Sequence, residues 1–275
     1  MSEVLTTKSP AKINLYLHIL DKRDDGYHNI KTHLQLIDIY DHIKFKTSKN
    51  RNIYIKSKES YLNNKDNTIY NAAKKLQNYQ KRNSFKGVEI EVDKNIPIGS
   101  GLGGASSNAA STLIVLNKLW NLNLSEDKLM KIAATIGADV PFFVYGKNAF
   151  GEGIGEKLKE VDVISDKILI FNPNIHCSTK KMFSLHDKFL KNNKNISLSN
   201  QNHFWNIYLD INPNIKNFIT NNQLEEKINL SGSGSCMFIK YKNKKDIDKI
   251  IEKMPSNWRL FFSKPLQYSP ICYIK

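Results

Sequence analysis

The stretch Lys94–Ala110, KNIPIGSGLGGASSNAA, restricts the possible structures of this chain more than any other. Gly99, Gly101, Gly103 and Gly104 put four glycines in six residues. Ser106 to Trp120 follows, rich in Ala, Leu, Ile and Val, and predicts a deeply buried helix. Before the loop, Val88, Ile90 and Val92 alternate with Glu89, Glu91 and Asp93, the pattern of a half-buried strand. Strand, glycine loop and buried helix in that order form an α/β unit. Its glycines let backbone N–H groups turn toward a ligand, and the helix N-terminus adds a partial positive charge. Ser106 and Ser107 add hydroxyl donors in the first turn. The alternative is a tight strand-to-helix turn whose glycines serve packing alone.

Two phosphate-binding patterns fit only in part. Gly99, Gly101 and Gly104 match G-x-G-x-x-G, but a dinucleotide site needs a strand running straight into the first glycine and a second strand after the helix. Here Pro97 and a polar turn intervene, and a second helix follows the first. A Walker loop needs Lys to reach the β- and γ-phosphates, and Ala105 stands at that position. Anion binding by backbone amides survives without that lysine.

The rest of the chain alternates between strand and helix patterns. Ala11–Ile19, His33–Asp38 and His42–Thr47 read as strands, with a charged turn at Lys22–Asp25. Thr68–Gln80 carries Ile69, Ala72, Ala73 and Leu76 at helical spacing. Ser125 is positioned to cap a helix bearing Leu129, Ile132 and Ala133, which Gly137 ends. Phe150–Lys157 reads as a strand or hairpin near a domain boundary. The second half offers a strand at Ile168–Phe171, helical segments, a second glycine loop at Ser231–Ser235, a strand at Cys236–Tyr241 and a Lys-rich helix. The Asn-rich stretch Lys191–Asn202 reads as a solvated connection.

With 275 residues, 40% of them hydrophobic, the chain can bury one large core or two ordinary ones. It has no apolar run of the ~18 residues a membrane span requires, and its first residues lack the pattern of a signal peptide. Three scattered cysteines make neither a metal spacing nor a disulfide framework, which points to a reducing cytoplasm. The net charge of +15 comes mainly from lysines dispersed along the chain. Without a clustered Arg/aromatic platform it speaks for a solvated surface and polyanionic small substrates, not for nucleic acid.

Pro97–Ala110 resembles the second motif of the GHMP kinases, Ser231–Ser235 their third, and Ser9–Leu15 (SPAKINL) their first. Gly26-Tyr27-His28 and Gly137–Phe143 (GADVPFF) are similar to the branch of that family whose substrate is a cytidyl sugar-alcohol diphosphate. The resemblance runs through nearly the whole chain in order. It departs at Ala105, where the family often has another glycine, and at Lys191–Asn202.

The resemblance implies an α/β (α+β) two-domain kinase fold with the active site in the interdomain cleft. Residues 1–157 would form the ATP-binding and catalytic domain and residues 158–275 the substrate-binding domain. ATP would be the co-substrate, with Mg2+. Transfer would go to the 2-hydroxyl of a methylerythritol moiety. Lys12 and Asp139 are the implied catalytic pair: Asp139 takes the hydroxyl proton and Lys12 stabilises the developing charge. Read alone, Asp139 is a helix cap and Lys12 a solvated strand lysine. Asn67, Lys94, Pro97, Gly99, Gly101, Gly103, Gly104, Ser106 and Ser107 are the implied ATP contacts, the two serines also being candidates for the metal, whose protein ligands stay unassigned. On the substrate side Asn14, two residues beyond Lys12 and so on the same strand face, would orient the acceptor. Tyr27 and Phe183 would sandwich the cytosine, His28 would read its edge, and Thr179 would lie beside them. Phe183 also reads as plain core, and His28 as a structural hydrogen bonder. Small molecules are then the only implied partners, with no nucleic acid or membrane, and the chain would act as a monomer or homodimer.

Overall fold

The computed structural model describes residues 2–80, 86–192 and 201–274. Two long antiparallel strands organise it, β1 (Val4–Lys22) and β2 (His28–Ser48). The charged turn lies between them, where the Arg23 guanidinium binds the Asp25 carboxylate and Gly26 takes φ +85°. The two short strands expected at His33–Asp38 and His42–Thr47 are one. The register shifts between Pro10, opposite Tyr40, and Ala11, opposite Ile37. Such a bulge changes which face successive side chains occupy, so the alternation breaks there while the strand continues.

β4 (Gly87–Asp93) pairs with β2 over His42–Ser48, and β3 (Ile53–Ser57) runs parallel to β4. At the other end of β2, β5 (Ala149–Glu152) pairs with Thr32–Leu34 and turns back into β6 (Lys157–Glu160). The expected hairpin at Phe150–Lys157 is thus present and extends to Glu160. Four helices cover one face of this six-stranded sheet: α1 (Thr68–Gln77), α2 (Gly104–Leu119), α3 (Glu126–Ala134) and α4 (Val140–Tyr145). α2 is buried nearly all round, as its composition predicts. The Ser125 side chain accepts from Lys128 N and caps α3, a contact typically worth ~1 kcal/mol.

The second sheet has the order β10–β7–β9–β8, from β7 (Lys167–Asn172), β8 (Asn229–Leu230), β9 (Met237–Tyr241) and β10 (Arg259–Ser263). It is buried on both faces, so β7 reads as an unbroken apolar run. Ile168 and Ile170 meet Ala11, Ile13, Ile37 and Ile39 of the first sheet in a seam between the sheets. Leu169 and Phe171 face the opposite way, into a core shared with α5 (Thr179–Asn192), α6 (Trp205–Ile211), α7 (Pro213–Asn221) and α8 (Lys245–Ile251). The chain then returns: Pro265 bridges to Ile37, Tyr268 to Lys147, and Ile271 enters the first core. Cys177 and Cys236 are buried and free. Most of the Asn-rich stretch, residues 193–200, lies outside the described residues. Among the described residues no helix is long and apolar enough to cross a membrane.

Candidate active site

The three motifs recognised in the sequence meet between the two sheets. Leu102 of the glycine loop accepts from Lys12 N at 3.0 Å, and Ser100 accepts from Cys236 N at 2.9 Å. The Ser231 hydroxyl donates to Gly101 O at 3.0 Å and lies 3.4 Å from Asn14 N. Gly99, Gly101 and Gly103 all have positive φ, +59°, +78° and +75°, which L side chains rarely adopt. Their smallness serves the protein first. A Cβ on Gly101 would collide with the Ser231 carbonyl, and one on Gly103 would sit 2.8 Å from the Phe143 ring and 3.1 Å from Lys12 Cγ. The glycines therefore let two loops and β1 close on one another, and the α2 N-terminus is left facing a cavity of about 400 Å3, a size typical of small-ligand sites.

Lys12 and Asp139 face each other in this cavity. The Lys12 ammonium is 2.5 Å from Asn14 Oδ1 and 3.4 Å from Asp139 Oδ2. Lys12 is 4% exposed and Asp139 38%. Asp139 precedes α4, but its side chain makes no capping bond there. The carboxylate is turned to Lys12 and the cavity instead. Asn14 is held by a relay: its Nδ2 donates to Thr32 Oγ1 at 2.7 Å, and Thr32 donates to Tyr16 O at 2.7 Å. That relay fixes the Asn14 carbonyl on Lys12. Thr32 also lines the cavity and was not singled out in the sequence.

The entry to the glycine loop is pinned by Asp41, a fully buried carboxylate on β2. It pairs with Lys94 and accepts from Asn95 N at 2.8 Å and Ile96 N at 2.9 Å. Lys94 lines the cavity, but its charge is already matched. Asn67 serves as the N-cap of α1, accepting from Tyr70 N and donating to Leu62 O and Asn64 O. Its neighbours Thr68 and Ile69 line the cavity in its place. Pro97, Gly99, Gly101, Gly103, Gly104 and Ser106 line it directly. Asn108 lines it too and Ser107 lies just behind; Ser107 Oγ and Asn108 Oδ1 are buried with no hydrogen-bond partner among the described residues.

At the opposite wall Thr179 Oγ1 is 2.9 Å from Ser233 Oγ, and Phe183 and Phe204 meet edge to face. The face of Phe183 carries the ring of His28, with centroids 4.8 Å apart and planes 16° from parallel. His28 is buried, with Nε2 2.6 Å from Asp187 Oδ1, whereas Tyr27 is 58% exposed. Burial pushes the Asp187 carboxyl up, but the hydrogen bonds from Lys22 and His28 outweigh it and hold it below the usual carboxylate range. Behind His28, His186 is pushed down to about 4 by burial, with His203 and His28 adding to the effect, so it is neutral at pH 7.

Residues 67–147 match the GHMP kinases N terminal domain. The chain is 36% identical over 269 residues to the 4-diphosphocytidyl-2-C-methyl-D-erythritol kinase of Marinomonas sp. (strain MWYL1), covering 95% of this chain and 87% of that protein. It is 37% identical over 268 residues to the protein of that name from Francisella philomiragia subsp. philomiragia, covering 95% and 96%. A crystal structure of 4-(cytidine 5'-diphospho)-2C-methyl-D-erythritol kinase superposes with a TM-score of 0.76 at 24% identity, over 95% of this chain and 99% of that one. Homoserine kinase from Cytophaga hutchinsonii superposes at 0.68 with 16% identity, over 96% of each chain; at these identities the two structures speak for the fold. With relatives of 36% and 37% identity matched over most of their length, the chain belongs to the 4-diphosphocytidyl-2-C-methyl-D-erythritol kinase family of the GHMP kinases.

Proposed function

We propose that this protein transfers the γ-phosphoryl group of ATP to the 2-hydroxyl of 4-diphosphocytidyl-2-C-methyl-D-erythritol, a step toward isoprenoid precursors. The observation that carries this reading is the Lys12–Asp139 pair, set in one cavity between the α2 N-terminus and the Thr179–Phe183 wall. The C2 oxygen attacks the γ-phosphorus as the bond to the β-phosphate oxygen breaks. Its proton passes to the Asp139 carboxylate, and ADP leaves. Lys12 lies within reach of the same oxygen and stabilises its charge. Backbone N–H groups of Gly99–Gly104 and the α2 dipole hold the phosphates.

Among the described residues no cluster of three or more His, Cys, Asp or Glu could hold a metal. Mg2+ would arrive with ATP, since this ion binds largely through substrate phosphates and water. Ser106, which lines the cavity, and the orphaned Ser107 hydroxyl behind it are the protein groups that would hold a Mg–phosphate unit, and the ion would supply neutralisation of phosphate charge. Residues 1–157 supply the ATP and catalytic side and, through Tyr27 and His28, part of the base-binding side, to which the following residues add Thr179 and Phe183. β6 completes the first sheet, and residues 265–274 return to it. All of these groups come from one chain, so a monomer suffices and a homodimer is compatible; the setting is the cytoplasm.

The test is a phosphotransfer assay offering ATP with the cytidyl substrate, homoserine and mevalonate side by side. Efficient phosphorylation of the cytidyl substrate alone is expected. Comparable turnover of either other acceptor contradicts the substrate assignment and leaves the kinase assignment standing.

Three variants separate the ATP side from the base side. Ala105 is exposed at the start of α2 and lines the cavity. In Ala105→Glu a carboxylate meets the triphosphate while suiting the helix dipole. ATP affinity falls about 10- to 100-fold with an unchanged melting temperature, as calorimetry will read; unaltered affinity returns the loop to a packing role. On the other wall, stacking a base on an aromatic ring is worth about 1–3 kcal/mol by alanine substitution. Tyr27→Ala and Phe183→Ala should each weaken substrate binding by about 5- to 150-fold, mostly in KM, with ATP affinity intact. Tyr27→Ala is the cleaner measurement, because Phe183 also packs on His28 and Phe204. Loss of both ligands together in Tyr27→Ala argues against the sandwich.

A further inference from the structure

Asp187 has no part in the transfer chemistry, yet it touches the base-binding wall. It lies on α5 one turn beyond Phe183, so the two side chains share a helix face. Its oxygens are used separately. Oδ1 is 2.6 Å from His28 Nε2, and Oδ2 accepts from Lys22 Nζ at 2.6 Å. We propose that Asp187 is a positioning residue for base selection: it accepts the Nε2–H of His28 and so holds the neutral tautomer whose Nδ1 accepts a hydrogen bond from the amino group of cytosine. This rests on the cytidyl reading of the site.

Three observations carry the proposal. First, a neutral imidazole has one donor and one acceptor nitrogen, and the partner of one nitrogen decides the role of the other. An ionised carboxylate only accepts, so it selects the Nε2–H form. The hydrogen bonds from Lys22 and His28 keep Asp187 ionised despite its burial. Second, Lys22 sits on the other oxygen and matches the carboxylate's charge. That leaves Oδ1 for the ring and fixes the carboxylate between the two groups. Third, the His28 and Phe183 planes are 16° apart with centroids 4.8 Å apart. Stacked rings touch at about 3.5 Å, so the imidazole is displaced sideways and leaves part of the Phe183 face open. A base stacked on that part is nearly coplanar with His28, and the two meet edge to edge. Cytosine presents an N4 amino donor there, whereas uracil presents the O4 acceptor. An Nδ1 acceptor welcomes the first and repels the second.

The experiment combines 15N NMR of the histidine rings with calorimetry of CDP and UDP binding, on the full chain at neutral pH. The unaltered protein should show His28 protonated at Nε2 and bare at Nδ1, and should prefer CDP by tenfold or more. In Asp187→Asn the amide can donate or accept, so the tautomers mix and the CDP/UDP ratio falls about tenfold. Affinity for an ATP analogue and the melting temperature should hold. Asp187→Glu, which keeps a carboxylate acceptor, should restore the ratio. A proton on Nδ1 in the unaltered protein overturns the proposal and needs no variant. So does a CDP preference that survives intact in Asp187→Asn. Equal binding of CDP and UDP by the unaltered protein contradicts the cytidyl reading itself.

Discussion

Asp139→Asn lowers kcat by about 10²- to 10⁴-fold, the usual contribution of a positioned acid or base, and leaves KM for both substrates nearly unchanged. The amide keeps the shape of the side chain and removes its ability to take a proton. Structural reasons for a loss are few, because Asp139 caps no backbone N–H of α4 and is more than a third exposed. The melting temperature should therefore hold. The interaction removed is one made in the transition state, where the hydroxyl proton moves, and such a loss falls on kcat and kcat/KM alike. Steady-state kinetics alongside a melting curve reads all of this. A modest loss confined to KM means that Asp139 only places the acceptor.

Lys12→Met is the second large effect. Methionine keeps much of the buried stem's volume and removes the charge. The Lys12 ammonium bridges Asn14 Oδ1 and Asp139 Oδ2, which on the proposed mechanism puts it where the attacking oxygen loses its proton. Removing one preorganised donor from a site of developing charge costs about 10²- to 10³-fold in kcat. Unlike Asp139, Lys12 is nearly fully buried, and its loss leaves the Asn14 carbonyl without its partner. A buried acceptor stripped of its partner costs about 1–3 kcal/mol, so Lys12→Met should also melt earlier. Full activity with a lowered melting temperature assigns Lys12 to structure alone.

The contrast between these residues shows what was legible in the sequence. α2, the cap at Ser125 and the alternation in Val88–Val92 are local, and the structure carries all three. The continuous β2 was hidden because a bulge changes the alternation at its middle. β3 and β10 were not foreseen at all. Each is only five residues long, and β3 includes an exposed Tyr and Lys. Within the site, Lys12, Asn14 and Asp139 stood out through the family's motifs, and the structure brings them together. Their supports did not stand out, because each acts across a long separation. Thr32 holds Asn14 from 18 positions away, Asp41 holds Lys94 from 53, and Asp187 holds His28 from 159. Asp41 fell between the two strands expected from the sequence, so nothing there marked it as a buried carboxylate. The loop glycines show the limit of motif reading. They were expected to make room for phosphate, and the structure shows Gly101 and Gly103 first making room for Ser231, Phe143 and Lys12.

The central claim is that the Lys12–Asp139 pair directs one phosphoryl group from ATP onto a single hydroxyl of the cytidyl substrate. The most direct measurement is 31P NMR of one ATP incubated with one equivalent of 4-diphosphocytidyl-2-C-methyl-D-erythritol and the enzyme, with carbon–phosphorus coupling used to place the product. The account predicts that the γ-phosphate signal is replaced by ADP and one new phosphomonoester coupled to C2, at a rate about 10²- to 10⁴-fold slower in Asp139→Asn. Release of inorganic phosphate without a new ester, or an ester at another hydroxyl, would contradict it.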